Sequence, residues 1–115
     1  MMMISANQMD RMGQDVRRAG NLRMVRYIDE RFPGILGELD TEERLAVVEK
    51  YRCEAGKFGF RADDEIGYFM DLVVMYGAPF PERRAFRPVM SDARLTAAQK
   101  VLRIKAMLRE RGVTL

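Results

Sequence analysis

The sequence predicts an all-α fold, and three observations support this prediction. Apolar residues recur every three or four positions along most of the chain, and no segment shows sustained alternation of apolar and polar residues. Glycine and proline stand between these stretches, at positions that suit helix ends. With 115 residues, 48% apolar and 32% charged, the composition is that of one globular domain. We therefore expect a single compact domain of four main helices, at about 8–31, 41–58, 63–76 and 97–111.

Two successive apolar series predict the first helix. Gly20-Asn21 lies between the series and marks a break or kink, and Pro33-Gly34 ends the helix because the residue before proline disfavours helical geometry. We expect residues 1–8 to be flexible. The apolar series are Met9, Met12, Val16 and Ala19, followed by Leu22, Val25, Ile28 and Phe32.

Short polar motifs predict where the other helices begin. Asp40 and Glu43 form a capping box at the second helix, and Thr96 and Gln99 form one at the last. Asp63 is the expected cap of the third helix, within an acidic triplet that suits the positive end of the helix dipole.

The apolar faces predict which side of each helix is buried. The third helix is apolar almost all round, which is typical of a central helix. Gly59 is a natural residue to follow the end of the second helix, and residues 77–95 are expected to be an irregular loop with a short helical turn near 86–90. The predicted faces are Leu45, Val48, Arg52 and Ala55; Ile66, Phe69, Val73 and Tyr76; and Ala97, Val101, Ile104 and Leu108 supported by Leu102 and Met107.

The residues for most catalytic chemistries are missing. The chain has one cysteine, Cys53, and no histidine, so neither an intrachain disulfide nor the usual zinc ligand set is available. Cys53 is expected to be a half-buried small apolar residue. No phosphate-binding glycine loop, dinucleotide fingerprint or nucleophile elbow occurs. We therefore predict no enzyme activity, no catalytic residue, no cofactor and no metal site.

Charge is unevenly distributed along the chain. The net charge is +2 over residues 1–37, −5 over 38–81 and +6 over 82–115. The acidic centre argues against a nucleic-acid partner, and so does the spread of basic residues around most of the polar circumference of the last helix. Neither a membrane-spanning stretch nor a signal peptide is evident, so the expected location is the cytoplasm. The basic residues of that helix are Lys100, Arg103, Lys105, Arg109 and Arg111.

One loop combines residue types that anchor protein interfaces. Phe80, Arg83, Arg84, Phe86 and Arg87 lie in a stretch stiffened by two prolines, and arginine and aromatic side chains are enriched at binding hot spots. These five residues are the candidate protein interface. Alternatively, the two phenylalanines cover the ends of the core. If this loop is not the interface, Met9 and Met12 on the first helix are the next candidate surface.

A series of apolar, aromatic and acidic residues runs through about residues 22–80, roughly half the chain: Leu22-x-x-Val25-x-x-Ile28-x-x-x-Phe32-Pro33, Gly59-Phe60, Asp63-x-Glu65-Ile66-x-Tyr68-Phe69-x-x-Leu72, and Gly77-x-x-Phe80. This series resembles a pattern in small all-helical bacterial proteins encoded beside type VI secretion spike, PAAR-tip and effector genes, with a looser similarity in the last helix. Tyr76 departs from the leucine usual in that group, and Ala62 stands where a serine or threonine cap is usual.

This resemblance implies a biological setting but no chemistry. It suggests an adaptor or co-chaperone-like accessory that binds an effector, its chaperone or the spike. Two alternatives stay open: an immunity protein that neutralises a co-encoded toxin, and a small nucleic-acid-binding regulator. The sequence also leaves open whether the chain forms a homo-oligomer.

Overall fold

The structure is a computed structural model that describes the backbone of residues 6–112 and the side chains of residues 13–112. No strand occurs within this part of the chain, and the all-α prediction is confirmed. The four main helices begin and end within two residues of their predicted bounds, and the short helical turn predicted near 86–90 is present at 87–90. A 3-10 turn precedes it. The helices are α1 (Ala6–Arg31), α2 (Thr41–Gly56), α3 (Asp63–Tyr76), α4 (Arg87–Met90) and α5 (Ala97–Glu110), with the 3-10 turn at Phe80–Glu82. The flexibility predicted for residues 1–8 lies outside the described residues for 1–5, and residues 6–8 belong to α1.

The chain divides into two compact units, residues 1–50 and 51–115. The boundary falls within α2, after Lys50. The first unit contains α1 and most of α2. The second contains the end of α2, the helices α3 to α5 and the 3-10 turn.

Helix α1 runs without interruption through the predicted break at Gly20-Asn21. Both residues are buried, and the Asn21 amide donates a hydrogen bond to the Glu49 carboxylate of α2 at 2.8 Å. Because Glu49 accepts this hydrogen bond, the polar Asn21 side chain is satisfied within the helix. Helix α1 therefore continues past the position where the sequence predicted a break. The second apolar series supplies the buried side of α1, with Val25 and Ile28 in the core.

In the first apolar series of α1, the two members whose side chains the structure describes are not buried. Val16 is 72% exposed and Ala19 is exposed. The other two members, Met9 and Met12, lie outside the residues whose side chains the structure describes.

The turn between α1 and α2 is held by one arginine. The Arg44 guanidinium donates to the carbonyl oxygens of Leu39 at 2.8 Å and Gly37 at 3.0 Å, and it pairs with the Asp29 carboxylate at 3.0 Å. A guanidinium can satisfy several acceptors at once because its five N–H donors have a fixed planar arrangement. Arg44 thus ties the turn to α1.

The predicted capping box of α2 is present. The Glu43 amide donates to the Asp40 carboxylate at 2.8 Å, and the Asp40 amide donates to the Glu43 carboxylate at 3.2 Å. These reciprocal bonds satisfy two amides that the helix itself leaves without partners.

Helix α2 ends as its glycine predicts. The amide of Phe60 donates to the carbonyl of Ala55 at 3.1 Å, and the amide of Gly59 donates to the carbonyl of Gly56 at 3.1 Å. Together these are the two bonds of a Schellman motif. Gly59 has φ of +89°, a conformation that side-chain-bearing residues rarely adopt.

The start of α3 differs from the prediction by one position. Ala62 is the cap residue, and Asp63 is the first helical residue instead of the cap. The cap position has no side-chain acceptor, but the Glu65 carboxylate accepts from the amides of Ala62 at 3.1 Å and Arg61 at 3.2 Å. The start of α3 is therefore stabilised by the Glu65 half of a capping box.

The core of the second unit is a chain of aromatic rings centred on Phe69. Its ring lies 5.8 Å from that of Phe60 and 5.0 Å from that of Phe80, both in edge-to-face arrangements. Phe80 in turn meets Phe86 edge-to-face at 5.4 Å. Such pairs are worth about 0.5–1.5 kcal/mol beyond the area they bury. The central position predicted for the α3 stripe agrees with these contacts.

Helix α5 begins with the predicted capping box, since the Gln99 amide donates to the Thr96 hydroxyl at 3.2 Å and the Gln99 side chain accepts from the Thr96 amide at 2.8 Å. Ala97, Ile104 and Leu108 form its buried face, as expected. Leu102 does not support that face: it is 67% exposed, because it lies on the opposite side of the helix from Ile104.

Candidate functional site

The candidate interface segment, residues 77–87, follows α3 as a series of tight turns. Gly77 has φ of +93°, and its amide donates to the Val73 carbonyl at 2.8 Å, which closes the helix. The Phe80 amide then bonds the Gly77 carbonyl at 3.1 Å, and the Arg83 amide bonds the Phe80 carbonyl at 3.0 Å. The backbone is therefore held by local hydrogen bonds, where the sequence predicted an irregular loop.

The two phenylalanines of this segment belong to the core, which corrects their assignment to an exposed interface. Phe80 is 0% and Phe86 3% exposed. Their rings belong to the aromatic chain described above, and Tyr76 packs against Phe86 at 5.1 Å. They cannot offer apolar area to a partner while the unit stays folded.

The three arginines of the segment face solvent. Arg83, Arg84 and Arg87 are exposed, and no carboxylate among the described residues lies within ion-pair distance of their guanidiniums. The buried phenylalanines fix the backbone beneath them. The segment thus presents three planar cationic donors from a supported backbone, an arrangement suited to carboxylate acceptors.

One basic residue of α5 is buried, which the sequence analysis missed. Lys100 is 4% exposed, and its ammonium donates to the carbonyl oxygens of Met90 at 2.9 Å and Phe58 at 3.0 Å. The Phe58 ring lies 5.9 Å from the same nitrogen. Burial lowers the pKa of Lys100, and the nearby Asp92 charge opposes that shift. The only sequence signal is its spacing, because Lys100 falls between Ala97 and Ile104 on the buried face.

Asp92 organises the connection between α4 and α5. Its carboxylate accepts from the Arg94 amide and side-chain Nε, each at 3.0 Å. The hydrogen bonds from Arg94 lower the pKa of Asp92 to about 2, from an ordinary value of 3.8. Arg94 is therefore already paired with a carboxylate, unlike Arg83, Arg84 and Arg87.

Tyr68 carries a buried hydroxyl group that has no hydrogen-bond partner among the described residues. Burial, followed by the charge of Asp71, raises the pKa of Tyr68 to about 12. The Lys105 ammonium lies 5.1 Å from the centre of the Tyr68 ring. The phenol is thus neutral at ordinary pH, with its ring against a cation.

Cys53 is exposed, and its expected half-burial is wrong. It lies on α2 away from the buried positions at Val48 and Ala55. Within the described part of the chain, no three cysteine or carboxylate side chains are grouped in a way that could hold a metal ion.

A shallow groove of about 330 Å³ lies between α1 and α2 in the first unit. Charged pairs occupy its rim: Arg18 bonds the Glu42 carboxylate at 2.8 Å, and Arg17 pairs with Glu49. The charged side chains on the rim of the groove are therefore already engaged in ion pairs with one another.

Comparison with known proteins gives no relative: this chain matches no protein-family model, no curated protein and no solved structure. None of the described helices combines the length and apolar character that crossing a membrane requires.

Proposed function

We propose that this chain is a non-catalytic, cytoplasmic protein-binding accessory, adaptor or co-chaperone-like, for a bacterial type VI secretion effector, its chaperone or the spike. The observation that carries the binding role is the free basic surface formed by Arg83, Arg84 and Arg87. Three guanidiniums that have no carboxylate partner among the side chains described, residues 13–112, stand on a backbone that the core holds in place. The secretion setting comes from the sequence resemblance described above.

The chemistry of this surface favours an acidic protein partner. Arginine pairs with carboxylates through two parallel hydrogen bonds, which adds geometric specificity to the attraction of opposite charges. The surrounding residues 82–115 carry a net charge of +6, so the attraction extends beyond direct contact. Because Phe80 and Phe86 are buried, the segment itself contributes charge and hydrogen bonds instead of apolar area.

The decisive experiment combines charge reversal with a binding assay against the products of the neighbouring genes. Arg84→Glu together with Arg87→Glu should weaken partner binding about tenfold or more. The fold should remain intact, because exposed unpaired charges contribute little to stability. Circular dichroism of the double variant checks the fold. Full binding by a well-folded double variant would remove this surface from the interface.

A matched control separates the position of the charges from their number. Arg26→Glu together with Arg61→Glu makes the same change in net charge at two exposed arginines outside the segment. We expect near-normal binding from this control. The association rate of the unmodified protein should also fall as salt is raised, whereas a rate that does not change with salt would indicate apolar docking.

A further inference from the structure

The exposed side of α5 has apolar side chains at its centre, whereas the free basic surface has none. Leu102 is 67% exposed, and Ala98 and Ala106, four positions before and after it, are exposed as well. Residues spaced by four lie on one face of a helix. A line of apolar side chains therefore runs along the middle of the α5 face that points away from the core.

Charged residues lie on both sides of this apolar line. Lys105 and Arg109 follow Leu102 by three and seven positions, which places them on one side, while Arg103 and Glu110 are exposed on the other side. The face thus carries three cations and one carboxylate. The like charges of Lys105 and Arg109, four residues apart, weaken an isolated helix by a small amount. No carboxylate among the described residues lies within ion-pair distance of either side chain, although the Lys105 ammonium also contacts the Tyr68 ring.

We propose that this face of α5 is a docking site for an acidic amphipathic helix of a partner protein. The inference rests on the protein-binding role proposed above and names the structure that binds. An apolar seam on the incoming helix would cover Leu102, and the small side chains of Ala98 and Ala106 allow close approach. Carboxylates flanking that seam would pair with Arg109 and Lys105. The face from Ala98 to Arg109 is about 17 Å long, which matches roughly three turns of helix.

The charges favour an acidic amphipathic helix over two other binding partners, a second copy of the chain and a nucleic acid. A second copy packed α5 against α5 would offer Lys105 and Arg109 either the same cations, in parallel packing, or the uncharged residues at the start of α5, in antiparallel packing. A nucleic acid would satisfy the cations, but its phosphate backbone offers no apolar surface to cover Leu102. An acidic amphipathic helix complements both the leucine and the charges.

The test is an NMR titration of the isotopically labelled full chain with two synthetic peptides. Both are amphipathic helices with leucines four residues apart, and they differ only in carrying glutamate or lysine beside the leucine seam. The glutamate peptide should shift the amide signals of Ala98, Leu102 and Arg109, while the lysine peptide should leave them unchanged. Equal shifts with both peptides, shifts confined to other surfaces, or no shifts would overturn the proposal.

A pair of variants tests the apolar centre. Leu102→Ala should weaken binding of the glutamate peptide about tenfold, as expected for a central anchor. Alanine is at least as good a helix former as leucine, so the variant should fold. Val16→Ala, a truncation at a similarly exposed site on α1, should bind the peptide normally. Equal affinities of the two variants would rule out Leu102 as the anchor.

The two proposals fail in different ways. If Arg84→Glu with Arg87→Glu loses the natural partner while Leu102→Ala keeps both partner and peptide, the proposed function stands and the docking site on α5 is wrong. If the peptide binds α5 as described but no neighbouring gene product binds the chain, the docking site stands and the secretion role is wrong.

Discussion

The Lys100 ammonium lies 2.9 Å from the Met90 carbonyl oxygen, so a buried cation satisfies a backbone acceptor at the C-terminal end of α4, inside the second unit. The same ammonium reaches the Phe58 carbonyl, 42 residues away in the sequence. Both carbonyls stand at helix C-termini, where backbone acceptors lack partners and the dipole favours positive charge. Lys100 thus joins three segments of this unit through one side chain.

We expect Lys100→Met to lower the free energy of unfolding by about 1–3 kcal/mol. Methionine fills similar space but leaves two carbonyl acceptors without their donor, a loss that removal of a buried charge only partly offsets. Urea denaturation measures the change. The control is Lys57→Met, because Lys57 is exposed and pairs with Glu54 at the surface. Equal stability of the two variants would mean that the carbonyls find other partners.

Truncation of Phe69 tests the aromatic core. Phe69 is 1% exposed and contacts the rings of Phe58, Phe60 and Phe80. Phe69→Ala should therefore destabilise the protein by about 3–5 kcal/mol, from lost burial and the cavity left behind. Thermal unfolding followed by circular dichroism gives the measurement. A melting temperature within a degree or two of the unmodified protein would show that the ring is not central.

Asp92 predicts a component of acid sensitivity. Its pKa is about 2 in the folded protein, below its ordinary value of 3.8, so its stabilising contribution is complete above pH 3.8. The contribution is lost as pH falls from about 4 through about 2. Asp92→Asn should therefore flatten the fall in stability over this range, measured as urea midpoints at successive pH values.

A further variant checks the cause of that effect. Arg94→Ala removes the side-chain hydrogen bonds to the Asp92 carboxylate but keeps the bond from the backbone amide, so it should flatten the same part of the pH profile in part. A profile that Asp92→Asn does not alter would assign the acid sensitivity to other carboxylates.

The sequence predicted those features of the fold that depend on neighbouring residues. The capping boxes at Asp40 and Thr96 and the helix end at Gly59 each follow from hydrogen bonds within six residues. The helical spacing around Phe69 likewise identified a buried face. Local stereochemistry is sufficient for such assignments.

Other features required contacts between distant residues, which spacing does not reveal. Asn21 looked like a helix break until α2 supplied Glu49 as its partner. Lys100 was grouped with solvent-facing cations because its acceptors come from other helices. The candidate interface was only partly predicted for the same reason. Phe80 and Phe86 pack in the core through distant contacts, and only the three arginines are exposed.

Tyr68→Phe should leave stability unchanged or raise it. The Tyr68 hydroxyl is buried without a partner among the described residues, and an unsatisfied buried polar group costs about 1–3 kcal/mol. Phenylalanine removes that group and keeps the ring against which the Lys105 ammonium lies. Tyr76→Phe is the matched control, because Tyr76 is only partly buried. A loss of more than about 1 kcal/mol in Tyr68→Phe alone would show that the hydroxyl has a stabilising partner in solution. The same variant tests the raised pKa of about 12, because it should remove the latest phase from a spectrophotometric titration of the tyrosines.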